Sequence, residues 1–273
     1  MQVLIIKLHF QGSTVFVTLD CLNMAPLITK EGDKIMRYFG GKQRISKQLS
    51  QYLNSKLKIE QPFVDLFCGS CNIISKIDKD RLRIANDKHK YLISMWKELQ
   101  NGWQMPDNIS EEEYKYIKNH KDENPALTGF VGFGLSYSGK WFGGYARGGK
   151  GRNYCLNAKN SNNKILNNIM DVKFYNLNYD EVSIPDGSLV YCDIPYKNTT
   201  SYCKSEVGEF NHEEFYDWVR RNSDKYDIYV SEYKQNIPDD FTIVWEQNSK
   251  KDIRNKNNVR EETVEVLIKY LNN

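Results

Sequence analysis

At 273 residues, 27% of them charged and 40% hydrophobic, the chain has the composition of a globular protein that buries one substantial core, or a core domain carrying an insertion. No apolar run approaches the roughly 18 residues that span a bilayer, and Met1 to Phe10, broken by Lys7 and His9, makes a poor signal peptide. No membrane partner is therefore expected, and the protein is read as cytoplasmic, with its six cysteines (Cys21, Cys68, Cys71, Cys155, Cys192, Cys203) reduced, because their spacing is not that of a disulfide framework.

Residues 1–35 show weak periodicity. Val15–Leu19 reads as a strand and Glu31-Gly32-Asp33 as a turn, so the segment is treated as an extension, with disorder as one option for it. After Gly40-Gly41-Lys42 a helix is expected, since Ile45, Leu49, Tyr52, Leu53 and Leu57 recur at helical spacing. Pro62 ends the connection and Phe63–Phe67 follows as a buried strand, then a Gly69 turn and a short helix marked by Ile73, Ile74 and Ile77. Arg81–Asn86 reads as the next strand, ended by Asp87, with helices over 91–99 and Glu111–His120.

The stretch 124–170 is Gly-rich, then Asn-rich, without sustained periodicity; it predicts loop or a loosely built subdomain rather than core. Ser188–Cys192 is an apolar strand. Asn211 suits a helix N-cap, with Glu214 three positions on and Phe215, Trp218 and Val219 beyond. Strands are expected at Tyr226–Ser231, Phe241–Glu246 and Thr263–Leu271. The alternation of strands and helices, then strands joined without a clear helix, predicts an α/β fold whose mostly parallel sheet ends in an antiparallel edge.

Two strand ends carry the chemistry. Phe63-Val64-Asp65-Leu66-Phe67-Cys68-Gly69-Ser70 runs from a strand into a tight turn before a helix, where backbone N–H groups can meet a ligand. Asp87, directly after the next strand, is placed to accept hydrogen bonds from the hydroxyls of a ribose. Cys68-x-x-Cys71 has no second Cys/His pair to complete a zinc site, so no metal is expected. Farther on, Asp193-Ile194-Pro195-Tyr196 follows the Ser188–Cys192 strand. An amino group on an aromatic base is a poor nucleophile because its lone pair is delocalised. The Asp193 carboxylate and the Ile194 carbonyl can accept its hydrogens, Pro195 stiffens the loop and Tyr196 can stack on the ring.

Tyr38-Phe39-Gly40-Gly41-Lys42, the Phe63–Ser70 segment and Asp193-Ile194-Pro195-Tyr196, in this order, resemble the Dam-like (D12) class of DNA adenine-N6 methyltransferases from about residue 36 to the C-terminus. The resemblance implies a Rossmann-like S-adenosyl-L-methionine (AdoMet) dependent methyltransferase fold over 36–273, with a target-recognition region inserted at about 100–170. It implies cofactor contacts from Tyr38, Lys42, Asp65, Phe67, Cys68, Gly69, Asp87 and Asp193, with Asn178 and Tyr179 beside the cofactor adenine. Asp193 is then also the catalytic carboxylate, and the target base is flipped out of the duplex onto Tyr196. The chain departs from the family pattern twice: Ile194 stands where the catalytic motif usually has its first proline, and Cys71 where the turn usually has a second glycine.

The net charge of +3 is too small to indicate a nucleic-acid partner, but its distribution is a footprint for a polyanion. Residues 124–170 contain no Asp or Glu and six cations: Lys140, Arg147, Lys150, Arg152, Lys159 and Lys164. Within this stretch Tyr137, Trp141, Phe142 and Tyr145 alternate with Lys140, Arg147, Lys150 and Arg152, which suits phosphate contact and stacking on unpaired bases. A second basic cluster, Lys250, Lys251, Arg254, Lys256 and Arg260, reads equally well as a solvated loop. Double-stranded DNA is the expected partner, with the protein a monomer or, on DNA, a dimer. Cytosine-N4 methylation and an inactive DNA-binding relative are the rival functions. A nicotinamide enzyme is disfavoured, since the full dinucleotide glycine pattern is missing. The recognised sequence and the role, whether restriction-modification, regulation or phage-like modification, are not legible.

Overall fold

The computed structural model describes residues 4–10, 13–19, 42, 44–147, 152–197, 204–254 and 260–271, of which 4–10, 13–19, 204–205, 248–254 and 260–263 are described by backbone alone. Met1–Lys34 and Ile35–Asn273 are separate compact units. In the first, Leu4–Phe10 (β1) and Ser13–Leu19 (β2) pair antiparallel, and the strand expected at Val15–Leu19 lies within β2.

The second unit begins with α1 (Ser46–Lys56), which buries Leu49 and Leu53, two of the five apolar positions that announced it. Strands β3 (Phe63–Asp65) and β4 (Arg83–Asn86) are separated by the Gly69 turn and a 3-10 turn at Ile74–Lys76. Helices α2 (Lys90–Gln100), α3 (Glu111–Asn119), α4 (Pro125–Gly134) and α5 (Tyr154–Leu166) follow, then β5 (Lys173–Tyr175) and β6 (Leu189–Cys192). The chain closes with α6 (Lys204–Val207), α7 (His212–Asn222), β7 (Asp227–Tyr233), β8 (Phe241–Arg254) and β9 (Arg260–Tyr270). Two helix starts form as their sequence dictates: Ser110 and Glu113 make a reciprocal capping box on α3, and Asn211 accepts from Glu214 N–H at the head of α7.

Seven strands form one sheet in the order β5-β4-β3-β6-β7-β9-β8. β5 to β7 are parallel, and β9 runs antiparallel to both its neighbours, so the expected antiparallel edge is present. The topology turns at β3: the chain moves outward through β4 to β5, then crosses back to β6 on the other side. This is a Rossmann-like order, and its ligand crevice lies at the carboxyl ends of β3 and β6. Both faces of the sheet are covered, as strands buried on both sides require. Along β6, Leu189 and Tyr191 join the core built with α1, α2, α4 and α5, whereas Val190 and Cys192 join the core built with Phe215, Trp218 and Val219 of α7.

One expectation is corrected. The described residues of 124–170 are not loop or a loosely built subdomain: they contain α4 and α5, and Phe130, Phe133, Trp141 and Phe142 are buried in the larger core. The glycines that argued against helix serve close packing. A Cβ on Gly129 would lie 2.1 Å from the Tyr91 carbonyl oxygen, and one on Gly132 would lie 2.2 Å from the Trp141 ring. α4 therefore sits against α2 at a distance that side chains there would forbid. Among the described residues no helix is long and apolar enough to cross a membrane.

Candidate active site

The turn after β3 is pinned from three sides. Leu66 N–H donates to Tyr191 O (3.0 Å) and Cys68 N–H to Asn86 O (2.8 Å), carrying strand pairing past Asp65. Beneath it, Trp96 Nε1–H donates to Gly69 O at 3.1 Å. Asp87 closes it: Oδ2 accepts from Gly69 N–H (2.9 Å) and Oδ1 from His89 N–H (2.8 Å). Each carboxyl oxygen retains a second lone pair for a hydroxyl. Burial pushes the Asp87 carboxyl upward in pKa against those two backbone hydrogen bonds. Arg83, wholly buried, clamps the far side through Ile74 O, Ile77 O and Asn168 O, with Asp171 as its counter-ion.

Gly69 has φ 47° and Cys71 φ 57°. Cys71 thus adopts the left-handed conformation that the usual glycine would adopt there without strain. Its side chain is buried, as are those of Cys68, Cys155 and Cys192, and all four are free thiols. Asp65, also buried, has one carboxyl oxygen, Oδ1, without a hydrogen-bond partner. Burial first, then the charges of Asp193 and Asp87, hold its pKa well above the ordinary carboxylate range.

Lys42, Asp193 and Tyr196 are brought together. The Lys42 carbonyl accepts from Ile45 and Ser46 N–H and so starts α1, while its ammonium lies 2.9 Å from Asp193 Oδ1 and 4.2 Å from the centre of the Tyr196 ring. A residue that sequence reasoning missed completes the cluster: Glu265 of β9, whose Oε1 lies 2.8 Å from Lys42 Nζ and accepts from the Tyr196 hydroxyl at 2.9 Å. Burial pulls the Lys42 pKa down, but the Asp193 and Glu265 carboxylates outweigh it and the net shift is upward. The signal in the sequence was one Glu inside the apolar run Val264–Ile268. Ile194, the replacement for the usual proline, is buried in the α7-side core, so its side chain supports the loop by packing. Pro195 is exposed, and its carbonyl accepts from His212 Nε2 at 2.7 Å in the tautomer that carries the proton there.

Phe67 is half-buried against Tyr179 (5.9 Å between centroids) and Phe210 (5.8 Å). Tyr179 itself is buried against Phe215 and Trp218, which makes it wall, and Asn178 caps the turn with Glu181. Phe210 was not singled out from sequence; only its place between α6 and α7 brings it to Phe67. Tyr38 lies outside the described residues.

The candidate DNA contacts divide. Tyr137 is 68% exposed. Trp141 is core: it packs on His89 (4.3 Å), Phe133 (4.7 Å) and Tyr91 (5.6 Å), and its Nε1–H donates to Glu206. Tyr145 is half-buried, with its hydroxyl on Ile109 O at 2.7 Å. Lys140 is half-buried. Arg147 forms a bidentate pair with Glu111 (2.9 and 2.6 Å), and Lys159 pairs with Asp107, so at least these two cations of the stretch meet carboxylates. Arg147 and Arg152 flank a cavity of about 560 Å³ near Tyr145 and Asn153. Lys150 lies outside the described residues, as do the side chains of the second basic cluster. Among the described residues no three His, Cys, Asp or Glu side chains are grouped to hold a metal.

Residues 38–130 match the model of the D12 class N6 adenine-specific DNA methyltransferases. The matched segment, about a third of the chain, contains Lys42, the Asp65–Gly69 turn and Asp87 but not Asp193. Among solved structures, yhhF of Escherichia coli, provisionally named a methyltransferase, aligns with a TM-score of 0.32 at 12% identity, covering 84% of this chain and 86% of that one. SMU.472, provisionally named a methyltransferase and solved in complex with SAH, aligns with a TM-score of 0.32 at 12% identity, covering 87% of this chain and 55% of that one. This chain therefore spans about half the length of SMU.472. Both likenesses are loose, and the fold rests on the strand order above. The family match and that fold support methyl transfer.

Proposed function

We propose that the chain transfers a methyl group from AdoMet to the N6 amino group of an adenine in double-stranded DNA. The observation that carries this reading is Asp193, half-buried beside Lys42 and Tyr196 just past β6, the strand paired with β3, whose turn is closed by Asp87 and suits a nucleoside. The residues fit AdoMet: Asp87 has acceptor capacity for ribose hydroxyls, Asp65 Oδ1 is a buried acceptor lacking a partner, and the half-buried Phe67 and Phe210 rings suit an adenine. When bound, AdoMet supplies an electrophilic methyl group on a sulfonium. Asp193 and the Ile194 carbonyl would accept the hydrogens of the target amine and so localise its lone pair. Tyr196, held at its hydroxyl by Glu265 and on its ring by Lys42, would stack on the extruded base. Tyr137, Lys140 and Arg152 are the described side chains of the 137–152 stretch that would meet the duplex, whereas Trp141 and Tyr145 would support it from within.

Expression in a host without DNA methylation of its own, followed by sequencing of the genomic DNA for modified bases, tests the reading. Methyladenine at one recurring motif is expected from the natural chain and none from Asp193→Ala. A variant that still methylates would remove Asp193 from the chemistry.

A further inference from the structure

We infer that Glu265 is a positioning residue of this centre, holding Lys42 and Tyr196 in register with Asp193 from the antiparallel strand β9; the inference rests on the function proposed above. Glu265 is 2% exposed, and a single oxygen, Oε1, takes the Lys42 ammonium at 2.8 Å and the Tyr196 hydroxyl at 2.9 Å. The same ammonium reaches Asp193 Oδ1 at 2.9 Å. Glu265 is also the backbone partner of Tyr233 on β7, whose ring meets Tyr196 edge-on at 4.4 Å. One carboxylate thus joins the segment before α1, the loop after β6 and the antiparallel edge.

Charge gives this arrangement a purpose. An ammonium paired with Asp193 alone would neutralise it and compete with the amine that the carboxylate has to receive. Divided between two carboxylates, Lys42 leaves net negative charge at Asp193 while still fixing its position. Among the described residues, Asp65, Asp87, Tyr191 and Cys192 also act electrostatically on Asp193, Tyr191 acts on Glu265 as well, and Glu232 acts on Lys42. None of these bridges Lys42 to Tyr196.

Glu265→Gln keeps an acceptor of the same shape and removes the charge. In single-turnover methylation of duplex DNA it is expected to slow transfer by about tenfold or more, with AdoMet affinity within about threefold of the natural chain. Glu265→Ala combined with Tyr196→Phe is expected to cost less than the sum of the two alone, since they act through one hydrogen bond. The readout independent of activity is the Lys42 titration, followed by NMR in lysine-labelled protein without AdoMet or DNA; in Glu265→Gln it should move down. A Glu265→Gln chain that transfers methyl groups at the natural rate, or a Lys42 titration that does not move, overturns the inference. A natural chain that methylates no duplex counts against the proposed substrate alone, and an unmoved Lys42 against Glu265 alone.

Discussion

Lys42 Nζ lies 2.9 Å from Asp193 Oδ1, with the two side chains 2% and 20% exposed. This contact joins the start of α1 to the Asp193–Tyr196 loop, and it sets an electrostatic condition: a buried ammonium and two carboxylates stand or fall together. Lys42→Met would leave Asp193 and Glu265 without their common counter-ion. The expected cost is about 3–5 kcal/mol in denaturant unfolding, the range for breaking a buried pair from one side. The lysine titrates above its ordinary 10.5 in the folded chain, so its contribution is complete below that value and is lost as pH rises through the higher folded one. Equal stability of Lys42→Met and the natural chain at neutral pH would refute the coupling.

Cys71 occupies left-handed backbone with a side chain, and two substitutions separate the strain from the packing. Both Cys71→Ala and Cys71→Gly lose the buried thiol, but only glycine is relieved of its Cβ. Cys71→Gly should be more stable than Cys71→Ala by about 1 kcal/mol, reversing the usual order of the two residues. Alanine proving the better replacement would mean that the turn carries no such strain.

Gly129 lets α4 approach α2. Its Cβ would meet the Tyr91 carbonyl oxygen, which is backbone and has no rotamer to escape to. Gly129→Ala should lose at least about 2 kcal/mol by thermal or denaturant unfolding, although alanine is the better helix former. A neutral or stabilising outcome would show that the two helices can separate freely.

His89 is buried among Tyr91, Phe133 and Trp141 with neither ring nitrogen hydrogen-bonded, and burial lowers its pKa from 6.5 to about 4. The folded value lies below the unfolded one, so the stabilisation from keeping the ring neutral is complete above pH 6.5 and is lost as pH falls towards 4. The loss attributable to this residue is about 3 kcal/mol over that window. His89→Phe should lack it, which parallel unfolding curves of the two proteins at pH 7 and pH 4 would measure. Identical pH slopes would mean that the ring finds a partner when protonated.

What the sequence revealed and what it hid follow from the range of the forces involved. The starts of α3 and α7 and the strands β3 and β6 are local: Ser110 with Glu113, Asn211 with Glu214, and short apolar runs fix them wherever the chain goes. α4 is not local. PALTGFVGFG carries three glycines that count against a helix until Tyr91, Trp141 and Ala158 are seen filling the space above them. The same blindness affected Trp141: an aromatic between cations reads as a DNA reader, and only the fold shows Trp141 buried. In the site, Asp87 and Asp193 were legible because each ends a recognisable strand. Glu265 belongs to no motif, and its partners lie far off in sequence, so nothing short of the β7–β9 pairing brings it to Lys42.

Incubating the purified chain with isotopically labelled AdoMet and unmethylated duplex DNA, then digesting the DNA to nucleosides for mass spectrometry, tests the proposed chemistry most directly. The label should appear in N6-methyl-2′-deoxyadenosine, and the Asp193→Ala chain, still binding AdoMet, should leave the DNA unlabelled. Label in N4-methylcytosine, or in no nucleoside at all from folded protein that binds both AdoMet and DNA, would contradict the assignment of adenine as the target of this site.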